Sequence, residues 1–187
     1  MKSKENLSVK PVFTVRGMVH TSIFAALTAV SAYFVIPLGP VPITGQTLMV
    51  MLAGFVLGAY RGALSQIVYI LLGVIGLPVF SGGSSGVGIL AGPTGGFIWG
   101  FVVGAFVIGL ITEVSDTDSP LILVTTLVAG GLLVIYTTGI IQYMLVAGVS
   151  FTEALSVAVL PFIPGGILKV IAAFFIGRKL KPALERG

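Results

Sequence analysis

The sequence contains no cysteine and a single histidine, His20. Disulfides, thiolate metal sites and histidine-based metal centres are thereby excluded. Charge is equally scarce, because only 9% of the 187 residues are Asp, Glu, Lys or Arg, against about 25% in a soluble domain. A mean hydropathy of +1.14 and 56% hydrophobic residues exceed what one core of this size can hide, so a water-soluble globule is excluded and the excess faces lipid. No Gly-Lys-Ser/Thr step completes a Walker A loop, so the chain hydrolyses no ATP by the P-loop route. The net charge of +4 resides mostly at the two termini rather than along an aromatic-interleaved face, which excludes nucleic acid as a partner. The 26 glycines follow no G-X-Y period and sit beside long aliphatic runs, so neither collagen nor a disordered linker fits.

What is present is a series of apolar runs divided by Gly, Pro or charge. They predict an all-α integral membrane protein, a single membrane domain over 1–187, with spans at 18–36, 46–59, 61–77, 96–112, 120–147 and 165–180 and a short amphipathic piece at 152–160. Helices are required because free backbone amides find no partner in lipid and the runs lack the alternation of barrel strands. The first run, from Val19 to Pro37, outlasts a signal-peptide core and ends at no small-x-small cleavage site, so it reads as the first span. Residues 46–59 number only 14, roughly 21 Å of helix against a hydrocarbon core of about 30 Å. The loop before them must dip inward. Lys2, Lys4, Lys10 and Arg16 precede span one, Arg61 follows span two, and Arg178, Lys179, Lys181 and Arg186 follow span six. By the positive-inside rule both termini are cytoplasmic.

The outer side then receives 37–45, 77–96 and 149–166, all rich in Pro, Gly, Ser and Thr. Broken backbone at membrane depth lines a cavity, so these loops are expected to cap a ligand pocket open to the outside. Lys169, three residues after Gly166 near the start of span six, is the sharpest polar signal. An intramembrane lysine beside a helix N-terminus suits a carboxylate or another strong oxygen acceptor, while the alternative is snorkelling to the interface. The stretch Ser81 to Gly96, with Ser84, Ser85 and Gly86, offers backbone amides for close approach to a ligand. Ser84 also matches G-x-S-x-G, the pattern of serine hydrolases. Its base is missing, because His20 belongs to the cytoplasmic start of span one.

In span five, Tyr136, Gly139 and Tyr143 share a face with Gln142 beside it, either to bind a polar heterocycle or to bond neighbouring helices. Thr44, Gln46 and Thr47 pose the same choice at the mouth of span two. Span one carries rows of small residues, Ser22 and Ala26 in one, Ala25, Ala29 and Ala32 in the other, which suit docking onto a membrane partner or packing within the bundle.

Four stretches carry a family resemblance: Pro40-Val-Pro-Ile-Thr-Gly-Gln-Thr47, Gly62-Ala-Leu through Gly73-Val-Ile-Gly-Leu-Pro-Val-Phe80, Leu90-Ala-Gly-Pro-Thr-Gly-Gly-Phe97, and Pro161-Phe-Ile-Pro-Gly-Gly-Ile-Leu-Lys169. Over nearly its whole length the chain resembles the biotin-binding S component (BioY) family of energy-coupling factor (ECF) vitamin transporters. The resemblance implies six membrane helices with cytoplasmic termini, a multi-pass bacterial plasma-membrane location and capture of biotin from outside. It implies no cofactor, no catalysis, and a partner module of one transmembrane coupling subunit and two ATPases, docked in part by span one. One departure stands out: the family's span-six motif usually reads Pro-Gly-Asp-x-x-Lys, and here Gly166 occupies the acid's place. Lys169 therefore needs another partner, and biotin's carboxylate or ureido carbonyl is the expected one. A membrane-embedded hydrolase using Ser84 and a stand-alone small-solute transporter are the competing readings.

Overall fold

A computed structural model describes residues 14–37, 41–115 and 119–186. Lys2, Lys4, Lys10, Pro40 and the side chain of Arg186, all part of the sequence reading, lie outside the described residues.

Thr14 starts the first helix by accepting the Gly17 amide on its hydroxyl at 3.0 Å, the expected N-cap bond. Helix α1 (Val15–Ser31) stops earlier than the run of apolar residues predicts. The chain passes instead into β1 (Val35–Ile36), paired antiparallel with β2 (Ile43–Thr44) so that Val35 faces Thr44 and Ile36 faces Ile43. Pro37 keeps Ile36 extended, since the residue before a proline is driven out of the helical region. Helix α2 (Gln46–Leu57) follows, and Gly58, at φ +84°, turns directly into α3 (Ala59–Val74). Only glycine adopts that φ without strain.

Residues 76–94 then make irregular backbone containing a 3-10 turn at Ser81–Gly83 and the short α4 (Val87–Ala91). Helix α5 (Gly95–Val114) is the central element, packed against α2, α3 and the later α7. Next comes one continuous helical run of 28 residues, Pro120–Ala147. It consists of α6 (Pro120–Val128), a π-bonded segment (Ala129–Val134) and α7 (Ile135–Ala147), closed by Gly148 in the left-handed conformation. Helix α8 (Phe151–Ala158), capped by Ser150, and a 3-10 turn at Leu160–Phe162 lead into α9 (Ile163–Arg186).

Small residues let these helices approach until backbones touch. A Cβ at Gly104 would lie 2.6 Å from the Gly130 carbonyl, and one at Gly54 would lie 2.9 Å from the Ile108 Cβ. Such contacts drive association where lipid supplies no hydrophobic force between helices. Among the described residues three helical stretches are long and apolar enough to cross a bilayer, Gly95–Val114, Pro120–Ala147 and Phe151–Leu184, and two shorter apolar helices accompany them, Gln46–Leu57 and Ala59–Val74. Their outward faces are apolar too, with Leu133, Leu145, Leu168 and Phe175 exposed.

The two ends of the bundle differ. The Arg16 guanidinium donates to the Leu184 carbonyl, and Lys181 lies over the Phe55 ring at 5.9 Å. The start of α1, the end of α2 and the end of α9 thus share one end. The Glu113 carboxylate joins them there, accepting the Ala59 amide at 3.1 Å. The strand pair, the 76–94 segment and the start of α2 form the opposite end.

Candidate ligand-binding pocket

The C-terminal turn of α1 anchors both irregular segments at that opposite end. Gly45 donates its amide to the Ser31 and Phe34 carbonyls, each at 3.2 Å, and Gly82 donates to Ala32 at 3.2 Å. Tyr33 adds its hydroxyl to the Pro78 carbonyl, and Gly86 donates to Gly73 at 2.8 Å. Between the two anchored segments and helices α5, α7 and α9 lies a cavity of about 180 Å³. One water needs only about 10–15 Å³, so the space suits a small organic molecule.

Its wall divides by chemistry. Val41, Ile89, Phe97, Ile98, Phe101 and Phe162 form the apolar part, and Thr44, Gln46, Thr47, Ser81, Ser84, Thr94, Tyr136 and Lys169 the polar part. An apolar container with a few placed polar groups is the usual small-molecule site. Lys169, half-buried on α9, donates to the Thr44 carbonyl at 2.6 Å and to the Thr47 hydroxyl at 2.8 Å. Both partners are uncharged oxygens, and an ammonium has three donors, so one N–H remains for a ligand. The Thr44 hydroxyl donates to Gln46 Oε1 at 2.9 Å, and the Gln46 amide donates to the Tyr69 hydroxyl, which is fully buried between Phe80 and Phe101. Lys169, β2, the start of α2 and α3 therefore share one polar chain.

The structure brings five of the sequence-predicted site residues together, Thr44, Gln46, Ser84, Tyr136 and Lys169. The other five lie off the wall. Ser85 is exposed, and the Gly86 amide is used by Gly73. Gln142 donates to the Leu90 and Gly92 carbonyls at 2.7 and 2.8 Å. Tyr143 is buried with Val41, Ile140 and Ala154 under α8. Gly166 is buried against the next helix: a Cβ there would meet the Tyr136 hydroxyl and a Leu132 methyl, each at 2.8 Å. The sequence reading missed Thr94, Phe97, Ile98, Phe101 and Phe162 as wall residues. Phe97 and Phe101 stand four apart on α5, a spacing that marks one face without telling a pocket from lipid.

On α1, Ala25, Ala29 and Ala32 are buried inside this bundle, whereas Ser22 and Ala26 face outward. Internal packing against α2 and α3 occupies the row of Ala25, Ala29 and Ala32, while Ser22 and Ala26 stay exposed. The Ser84 hydroxyl donates to the Ser81 carbonyl at 2.9 Å. His20 lies twelve residues before Ala32, whose carbonyl holds this loop, and at 1.5 Å per residue that is about 18 Å away. No serine–histidine pair forms.

Comparison with known proteins decides the family. A family model for the BioY family matches residues 1–186. The chain belongs to the BioY family. The chain is 44% identical over 182 residues to a biotin transporter BioY of Rhizobium etli, covering 90% of this chain and 97% of that one. It is 48% identical over 102 residues to a biotin transporter BioY of Thermotoga maritima, a match covering 54% of this chain and 60% of that one. Its fold is similar to a crystal structure of the S-component for biotin from an ECF-type ABC transporter, with a TM-score of 0.83, 27% identity, and coverage of 88% of this BioY chain and 90% of the other. Three of the four stretches that carry the resemblance supply wall residues of the cavity, and the fourth places Phe80 edge-on to Tyr69 at 5.6 Å beneath it.

Proposed function

We propose that this chain is the biotin-specific S component of an ECF-type ABC transporter, a capture subunit and not an enzyme. The observation that carries the reading is Lys169: an ammonium on the cavity wall of a BioY family member, satisfied by two neutral oxygens with one donor left. An oxygen acceptor of biotin completes its coordination, and Phe97, Ile98 and Phe101 receive the ligand's apolar body. The hydrolase reading fails because Ser84 has no base.

The chain crosses the cell membrane six times with both termini in the cytoplasm. The pairing of the α1 start with the α9 end supports this, because it brings Arg16 to the same end as Lys181. The cavity then opens to the outside, and the segments 37–45 and 77–96 close over biotin as a lid, which excludes water and strengthens each polar contact. Ser22 and Ala26 on the outer face of α1 meet the transmembrane coupling subunit, and two ATPases attached to it supply the energy.

Calorimetry of purified protein in detergent with biotin, biotinamide and desthiobiotin tests the reading. Tight biotin binding lost with biotinamide assigns Lys169 to the carboxylate, and loss confined to desthiobiotin assigns it to the ureido end. No binding of biotin overturns the function.

A further inference from the structure

Gln142 was expected to touch the ligand, yet the structure commits it elsewhere. A primary amide has two N–H donors, and Gln142 Nε2 donates to the Leu90 carbonyl at 2.7 Å and the Gly92 carbonyl at 2.8 Å, 52 and 50 residues away in sequence. Those carbonyls belong to the turn joining α4 to α5. The turn's own hydrogen bonds are short-range, from Gly92 to Ile89 at 3.2 Å, Gly95 to Gly92 at 3.1 Å and Phe97 to Thr94 at 3.2 Å. Gln142 adds the side-chain link that ties it to α7.

The space for that link is made by glycine. A Cβ at Gly95 would lie 2.5 Å from Gln142 Nε2, and a Cβ at Gly96 would lie 2.7 Å from the Gln142 Cβ. A Cβ at Gly95 would also collide with the Leu90 carbonyl and one at Gly96 with the Thr138 carbonyl, so both positions need glycine for the turn, α5 and α7 to meet. Ile89, Thr94 and Phe97, which flank the turn on both sides, are all on the cavity wall. A turn that leaves α7 takes this wall with it.

We propose that Gln142 is a positioning residue: its side-chain amide clasps the 90–92 turn to α7 and so holds one wall of the pocket closed on the ligand without touching it. The inference rests on the biotin-capture reading for its effect on binding, while the clasp itself is independent of that reading. A clasp that retains the wall acts after the ligand has entered, so its loss is felt in dissociation rather than association.

The test uses Gln142→Met, which keeps the side-chain length and removes both donors, and Gln142→Asn, which keeps the donors and withdraws them by one methylene from the Leu90 and Gly92 carbonyls. In ligand-free protein, amide hydrogen exchange at Gly92, Gly95 and Phe97 is expected to quicken by about tenfold or more in both variants, with exchange in the second half of α5 unchanged. Biotin dissociation is expected to quicken by about tenfold with association altered less than about threefold. Exchange raised along the whole of α5, with association and dissociation altered alike, marks a general loss of packing and overturns the positioning role. Wild-type exchange in residues 92–97 overturns the clasp. Faster exchange with unchanged dissociation overturns its positioning role. Should wild-type protein bind no biotin, the capture reading fails on that arm alone, and the exchange at 92–97 still decides the clasp.

Discussion

Replacing Lys169 by methionine retains the apolar stem along α9 and removes the ammonium that donates to Thr44 and Thr47. If its remaining N–H meets biotin, the ligand loses a charge-assisted bond and keeps an unpaired oxygen in a desolvated cavity. Truncating one partner of such a pair costs about 2–5 kcal/mol, so the Kd should rise between roughly 30-fold and several thousand-fold. Part of that loss can come from β2 and the start of α2, because the same ammonium holds the Thr44 carbonyl and the Thr47 hydroxyl. Thr47→Val separates the two contributions, since it deletes one of the two protein acceptors, the one on α2, and leaves the charge in place. A neutral bond contributes about 1 kcal/mol net, so Thr47→Val should weaken binding by no more than about fivefold. Titration calorimetry of both variants reads the two values directly. A Lys169→Met affinity within about threefold of wild type refutes direct contact, and a Thr47→Val loss equal to that of Lys169→Met shows that the lysine acts by holding the cavity wall rather than by touching the ligand.

Gly166→Ala sets a methyl 2.8 Å from the Tyr136 hydroxyl and from Leu132. Overpacking of this kind costs about 1–3 kcal/mol, so weaker biotin binding and a lower thermal midpoint are expected together, read by calorimetry and thermal unfolding in detergent. Gly109→Val drives a side chain into the Gly58–Ala59 backbone, and size-exclusion chromatography should show loss of the monodisperse peak. Gln66 is fully buried with its Oε1 unpartnered. Gln66→Met removes that acceptor together with the Nε2 bonds to the Ser65 and Thr28 hydroxyls, and because both hydroxyls keep their own carbonyl acceptors the thermal midpoint should equal or exceed wild type, so a drop of several degrees would falsify this account of α3. The absence of native cysteine permits a clean topology assay. Glu153→Cys should react with an impermeant maleimide in intact cells and Lys179→Cys only after lysis, and the reverse pattern contradicts the assigned orientation.

Much of this architecture is legible in the apolar runs, because a helix in lipid must be apolar over most of its surface and any Pro, Gly or charge cluster marks an end. The run 120–147 became one continuous helical stretch for that reason. The end of α1 was less legible, since hydropathy sees Val35 and Ile36 as more span while Pro37 and the pairing with 43–44 make them a strand. Lys169 was legible as a cavity residue because a lone intramembrane cation is tolerated in few other places.

Tyr143 shows where periodicity stops informing. Seven residues return a helix to the same face but advance it about 10.5 Å, which carries Tyr143 from the level of Tyr136, at the cavity, to the packing layer under α8. Gln142 was recognised as polar, yet its partners are backbone carbonyls fifty residues away, and carbonyls carry no residue-type signature. The two rows on α1 likewise differ only in which neighbour each meets.

Lys169 has no acid beside it among its partners, and that fixes how the membrane potential acts on this protein. An empty cavity carries one positive charge, whereas a cavity holding biotin, with its single carboxylate, carries none in sum, whichever end of the ligand the lysine meets. Moving one elementary charge through the full field is worth about 2.3 kcal/mol per 100 mV. Any motion that takes the cavity across part of that field is therefore indifferent to voltage when loaded and sensitive to it when empty. In the proposed orientation, with the cell interior negative, the emptied site is drawn inward, and its outward return is the electrically opposed step. Depolarisation should hasten recovery of the vacant subunit and leave movement of the loaded one unchanged.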